Sequence, residues 1–160
     1  MAKLKLSKKL IIIPPLLLAI IGGAVYWQTR EESTPVPASF QVSTNFTMYY
    51  PASLPEGFEY DEIAHDKETG VVTYSIASGD RKLYFSLQSK PDGFDLDGFN
   101  NEKITGGRNF DTKIGQLTTG VFENQTVGSI IANSTWVMIT AGPGTSLDDI
   151  ENVGKSMKQL

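Results

Sequence analysis

The chain has one histidine and no cysteine among 160 residues, so the side chains that most often do nucleophilic, metal-thiolate and multi-histidine chemistry come down to His65. His65 stands beside Asp66 in the polar stretch HDKETG, whose composition predicts a hairpin loop. There it is the one histidine available as a general base, against the plainer reading of an ordinary exposed loop histidine. Asp92, Asp95 and Asp97, in DGFDLDG, are the densest run of carboxylates. Hard cations such as Ca²⁺ want several oxygen ligands, and a glycine after alternating acids resembles part of an EF-hand loop. With Asp95 and Asp97 on loop positions 3 and 5, however, Gly93 falls on position 1 and Ile104 on position 12, so the pattern fails at both ends. The three aspartates are metal candidates set against a solvated acidic loop. The chain contains no G-x-S-x-G, S-x-x-K, P-loop or G-x-G-x-x-G pattern. The expectation is a protein that is not an enzyme and uses no cofactor. Three sequons occur, at Asn45, Asn124 and Asn133. Tyr49, Tyr50, Phe58, Tyr60, Tyr74 and Tyr84 are either core or a ligand groove on a sheet.

What would position these groups begins with a sharp division of charge. Residues 1–30 carry five bases (Lys3, Lys5, Lys8, Lys9, Arg30) and no acid, which leaves nine bases against eighteen acids in residues 31–160, a balance of −9. Phosphate-backbone binding needs clustered Lys and Arg, so nucleic acid is not an expected partner. The absence of cysteine excludes disulfides and cysteine-linked lipid anchors, and Ala2 excludes N-myristoylation.

From Leu10 to Trp27 the sequence LIIIPPLLLAIIGGAVYW has no charge over eighteen residues, a straight-helix rise of roughly 27 Å against a hydrocarbon core of about 30 Å. It predicts a transmembrane helix, with Leu10, Ile13, Leu17, Ile20 and Val25 facing lipid and Trp27 at the outer headgroups. Pro14 and Pro15 place a kink or helix start near Ile13. Lys3, Lys5, Lys8 and Lys9 precede the segment while Arg30 is offset by Glu31 and Glu32, so the N-terminus is expected in the cytoplasm and the rest outside it. A cleaved secretory signal is the competing reading, because Gly22-Gly23-Ala24 supplies small residues for cutting before Val25.

The expected organisation is a cytoplasmic basic tail (1–9), a transmembrane helix (10–27), a Pro-containing linker (28–39) and one extracytoplasmic domain (40–160). Within that domain, strands are expected at 45–50, 58–64, 71–76, 82–88, 117–123, 127–132 and 136–140, and residues 94–107 are expected to be a loop with one helical turn near 96–101. Trp136-Val137-Met138-Ile139 is apolar on both faces, which marks a central strand. Ser146 with Asp149 reads as a capping-box start, and Leu147, Ile150, Val153, Gly154 and Met157 recur at helical spacing, with Gly154 allowing close approach. The fold class is α+β: a twisted antiparallel sheet with a C-terminal helix packed on one face, and one or two helices on that face in all.

Tyr50-Pro51, Leu54-Pro55-Glu56-Gly57-Phe58, the strand with Trp136, and the closing run from Ser146 to Met157 resemble small bacterial extracytoplasmic domains of unknown function. Such domains stand behind one transmembrane helix, some of them at the outer end of anti-sigma factors. The resemblance spans roughly residues 46–158 and implies location and fold more than activity. About nine residues before the membrane are too few to fold, so sigma-factor sequestration is not expected. The expected function is a membrane-anchored binding or sensing module whose partners are the lipid bilayer and a membrane or envelope protein. The alternatives are a structural component of an envelope assembly, or a secreted protein after cleavage.

Overall fold

The computed structural model describes residues 37–40 and 42–160. The anchor residues Leu10, Ile13, Leu17, Ile20, Val25 and Trp27 and the topology lysines Lys3, Lys5, Lys8 and Lys9 lie outside the described residues. No helix among the described residues is long and apolar enough to cross a membrane.

Among the described residues, nine strands and two helices follow a 3-10 turn at Ala38–Phe40: β1 (Tyr49–Pro51), β2 (Glu59–Asp66), β3 (Val71–Ser78), β4 (Arg81–Ser89), α1 (Leu96–Lys103), β5 (Thr105–Thr112), β6 (Gly115–Phe122), β7 (Gln125–Ala132), β8 (Thr135–Ala141), α2 (Leu147–Ser156) and β9 (Met157–Gln159). Seven of the strands form one antiparallel sheet in the order β2-β3-β4-β8-β7-β6-β5, and β1 pairs with β9 in a short second sheet. Two meanders thus meet at the β4–β8 seam, with α1 carrying the chain from the middle of the sheet to its far edge. The α+β class holds, and the Trp136 strand is the central one, fourth of seven.

Strand residues alternate between two faces. On the inner face, Val72, Tyr74 and Ile76 of β3 lie beside Leu87, Phe85 and Leu83 of β4, which lie in turn beside Val137, Ile139 and Ala141 of β8. Leu117 and Ile130 extend this layer, Ile150 and Val153 close it from α2, and Met157 closes it from the start of β9. Apart from the partly buried Ala141, these side chains are fully buried or nearly so, and each of the larger aliphatic ones contributes roughly 1.5–3 kcal/mol by leaving water. The capping box at the start of α2 is present: Ser146 Oγ accepts from the Asp149 N–H, and the Asp149 carboxylate accepts from the Ser146 N–H. At Gly154 the helix comes so near the sheet that a Cβ would lie 2.6 Å from Leu117 Cδ2.

Four expectations need correction. Residues 94–107 are not a loop: they form α1 and lead into β5, an edge strand in which only Phe110 and the half-buried Thr112 turn away from water. Alternation is invisible there because an edge strand needs only one covered residue in place and because Gly106-Gly107 lie in a bulge between Thr105 and Arg108. The strand expected at 45–50 is confined to Tyr49–Pro51. Pro51 is part of that strand, paired with Met157, and β1 is short enough to tolerate a residue without an N–H donor. Met157 ends α2 and starts β9 rather than extending the helix. Finally, the two helices do not share a face. Gly154 of α2 abuts Leu117, whereas Asn100 of α1 donates to Thr118, the next residue of β6 and so on the opposite side.

Candidate functional site

Two of the three aspartates singled out by spacing serve the start of α1. Asp95 is the N-cap, its Oδ1 accepting from the Gly98 N–H at 3.0 Å, and Asp97 sits in the first turn, where the helix dipole favours an acid. Asp92 is exposed in the preceding turn. No group of three or more His, Cys, Asp or Glu side chains converges among the described residues. The residues of the failed EF-hand pattern are thus a helix cap, and the sequence signal for a cap was available in Asp95 three residues before Gly98.

His65 is not in a loop. It lies in β2 opposite Val72, half-buried, on the inner side, while Asp66 alternates to the outer side. Asp66 is held below the usual carboxylate range by the Thr69 hydroxyl and by the backbone N–H groups of Glu68 and Thr69, which close the hairpin turn. The pair therefore cannot act on one substrate atom. All three sequon asparagines are exposed, and Asn133 also donates from Nδ2 to the Tyr49 hydroxyl at 2.8 Å.

The aromatic set splits between the two readings. Tyr49, Tyr50, Phe58 and Tyr74 are buried. Tyr74 stacks on Phe85 with ring centroids 4.4 Å apart, and Phe40 meets Tyr60 and Tyr74 edge-on. The Tyr74 hydroxyl donates to the Tyr49 carbonyl at 3.1 Å and the Tyr60 hydroxyl to the Pro51 carbonyl at 3.2 Å. Burial, and then a neighbouring tyrosine, pushes both phenols above their ordinary range. Tyr84 alone is left out of this cluster, 43% exposed on the outer face.

That outer face has two unlike halves. Over β6–β8 it is covered from the α1 side: Phe94 and Phe99 pack on Trp136, Phe99 also on Phe122, and a Cβ at Gly120 would strike Ile104. Over β2, β3 and β4, with the near edge of β8, it is bare. Strand register lays out the lattice: Ala64, Thr73, Ser86 and Met138 form one row across the strands, and the buried Ser75, the exposed Tyr84 and the half-buried Thr140 the next. All of these but Met138, together with Glu62, line an open groove of about 500 Å³, within the range of roughly 300–1,000 Å³ usual for small-ligand sites.

A bulge in β2 sets the charge at one end of this groove. Between the pairs Tyr60–Ile76 and Ile63–Tyr74, both Asp61 and Glu62 stand opposite Ser75 alone. Lys82 Nζ lies 2.8 Å from Asp61 Oδ2 and 3.2 Å from Glu62 Oε2, and the hydrogen bond to Asp61 leads in raising the Lys82 pKa despite some loss of solvent. The same ammonium is 5.3 Å from the centre of the Tyr84 ring. On its other flank Tyr84 rests at Gly142, where a Cβ would lie 2.8 Å from Tyr84 Cε2. Ser75 Oγ donates to Asp61 Oδ2 at a long 3.4 Å. The arrangement offers hydroxyls, one oriented phenol ring and a carboxylate. Its one hydroxyl–carboxylate pair is Ser75 with Asp61, and the chain's only histidine is on the other side of the sheet.

Leu83, Phe85 and Leu87 alternate with polar residues along the expected strand 82–88, and the complement of that pattern, Tyr84 with Ser86, was the available signal for this groove. Comparison with protein-family models and with curated proteins returns no match, so the geometry of the open half-sheet carries the functional reading.

Proposed function

We propose that this protein is a non-enzymatic binding or sensing module, held at the outer side of a cell membrane by residues 10–27 with its N-terminus in the cytoplasm, and that it contacts its ligand through the open half of the sheet. The observation that carries this reading is the unequal treatment of one sheet face: α1 and its aromatics cover one half, while the other is left as a groove floored by small polar side chains around Tyr84. The charge-free leader flanked by four lysines and the resemblance to extracytoplasmic domains support the location.

A photo-crosslinking residue placed at Ser86 in the intact chain, in living cells, tests the binding reading. Irradiation should give one discrete adduct at Ser86 and none from the same residue at Gln125, an exposed position at the β6–β7 turn. Equal labelling at both positions, or none at Ser86, would overturn it. N-terminal sequencing of the mature protein tests the tether: a chain starting at Val25 in the soluble fraction would replace the anchor with a cleaved signal.

A further inference from the structure

We infer that the groove takes an uncharged sugar ring, with the pyranose of a glycan stacking its C–H face on Tyr84 and placing its hydroxyls on the Ser/Thr floor. This deepens the binding-module reading and rests on it.

Charge removes the other classes of small ligand. The end of the groove carries two carboxylates, Asp61 and Glu62, against the single ammonium of Lys82, so an anionic ligand meets net negative charge. That ammonium is already shared between the two acids. A cationic ligand would look for the face of Tyr84, the usual seat of a cation–π contact, but Lys82 Nζ already lies 5.3 Å from that ring centre and would repel a second cation. What remains is a neutral molecule.

The floor calls for one rich in hydroxyls. Thr73, Ser86 and Thr140 side-chain hydroxyls make no hydrogen bond within the described residues, and each can donate once and accept twice. A sugar hydroxyl has the same double capacity, so it can pair with such a group whichever way each turns. The Glu62 carboxylate at the rim can accept from two adjacent sugar hydroxyls at once. Tyr84 supplies the apolar component. Its ring is kept in place by Gly142 on one flank and by Lys82 on another, so little freedom is lost when a ligand stacks on it. The groove volume of about 500 Å³ admits a ring with its substituents.

The test is a carbohydrate array bearing neutral, sulfated or sialylated, and amino-sugar oligosaccharides, probed with the full-length chain in detergent micelles. Binding should fall on neutral oligosaccharides. Tyr84→Phe should retain it, because the ring is kept, and Tyr84→Ala should weaken it by about tenfold. Tyr84 is exposed, so both variants should fold; Ser86→Gln, which narrows the groove without touching Tyr84, should reduce binding as well. Recognition confined to charged oligosaccharides, full binding by Tyr84→Ala and Ser86→Gln, or a blank array would each overturn the sugar assignment. A blank array with a discrete protein adduct from the Ser86 crosslinker would remove the sugar and leave the binding module standing. A blank array with no adduct would remove both.

Discussion

The position of α2 decides which face of the sheet is available, and Gly154 is where that position is most tightly set. A Cβ at residue 154 would lie 2.6 Å from Leu117 Cδ2, and Leu117 is itself completely buried. At an exposed helical site, Gly→Ala would stabilise by about 1 kcal/mol through helix propensity. At Gly154 the added methyl must displace a packed leucine, an overpacking that costs about 1–3 kcal/mol. Gly154→Ala should therefore leave the domain unchanged or destabilise it by up to about 2 kcal/mol. Leu117→Ala alone should lose about 2–5 kcal/mol. In that background the obstacle is gone, so adding Gly154→Ala should recover about 1 kcal/mol, a reversal of sign and a coupling of about 1–3 kcal/mol between the two sites.

The assay is urea unfolding of residues 34–160, followed by the fluorescence of Trp136, the only tryptophan in that segment. With slopes of about 1–3 kcal/mol per molar, a change of 1 kcal/mol moves the midpoint by roughly 0.3–1 M. If Gly154→Ala raised the midpoint in the otherwise native domain, or if the two substitutions added to within about 0.5 kcal/mol, the close approach of α2 would not be limiting and the reasoning would fail.

At the start of α1, Asp95→Ala should lower stability by about 1 kcal/mol while Asp95→Asn leaves it nearly unchanged, because both Asp and Asn cap a helix well; thermal melts of the pair separate a cap from a charge-dependent cation ligand. Asp149 is pushed up by burial, but its hydrogen bonds from Ser146 and Arg81 outweigh that and leave its pKa depressed, so its contribution should be present above the unfolded value near pH 4 and lost as pH falls through the folded value. Melts between pH 6 and 2 should show Asp149→Asn converging on the native chain at the acid end, and a constant gap would contradict the linkage. The raised pKa values of Tyr60 and Tyr74 act in the other direction, their stabilisation being complete below about pH 10 and lost as pH rises through the folded values. Phenolate absorbance should show two tyrosines that ionise only with loss of the near-ultraviolet circular dichroism signal, and free titration of all six tyrosines in the folded chain would refute this.

The elements most legible in the sequence are those whose pattern repeats within one segment. Trp136 to Ile139 announces a strand covered on both sides, and Ser146 with Asp149 announces a capped helix, because each signal is local. β5 gave no such signal, since its single apolar residue with partial cover, Phe110, cannot set a period by itself. α1 contains Gly98, Asn100 and Asn101, which are poor helix formers, and it is held instead by the Asp95 cap and by Phe99 and Ile104 packing on the sheet. The groove depends on register. Thr73 and Ser86 are thirteen positions apart and become neighbours only because β3 and β4 pair across Gly79-Asp80, a relation that composition does not carry. The same separation explains the aspartate run: three acids close in sequence looked like one site, yet α1 turns them to separate tasks.

Strand addition is the main rival to side-chain recognition on a sheet of this kind, and both edges argue against it. β2 is interrupted by the bulge at Asp61-Glu62 and bears five ionisable side chains besides tyrosine, at Glu59, Asp61, Glu62, His65 and Asp66. β5 is interrupted by the bulge at Gly106-Gly107. Bulges and edge charges are the devices by which sheets avoid pairing with a further strand, so an incoming peptide would have to straighten the edge before it gained a ladder of hydrogen bonds. The inner face is filled by α2, the N-terminal aromatics and β9. On the proposed binding reading, recognition by this domain falls to side chains on the bare outer half, and there Tyr84 differs from its neighbours. Ser75 and Thr140 flank it on the adjoining strands, and either residue type would keep that face in water equally well. An oriented ring at that one position adds nothing to the core on the other side of the sheet, but it gives a flat ligand a surface to rest on.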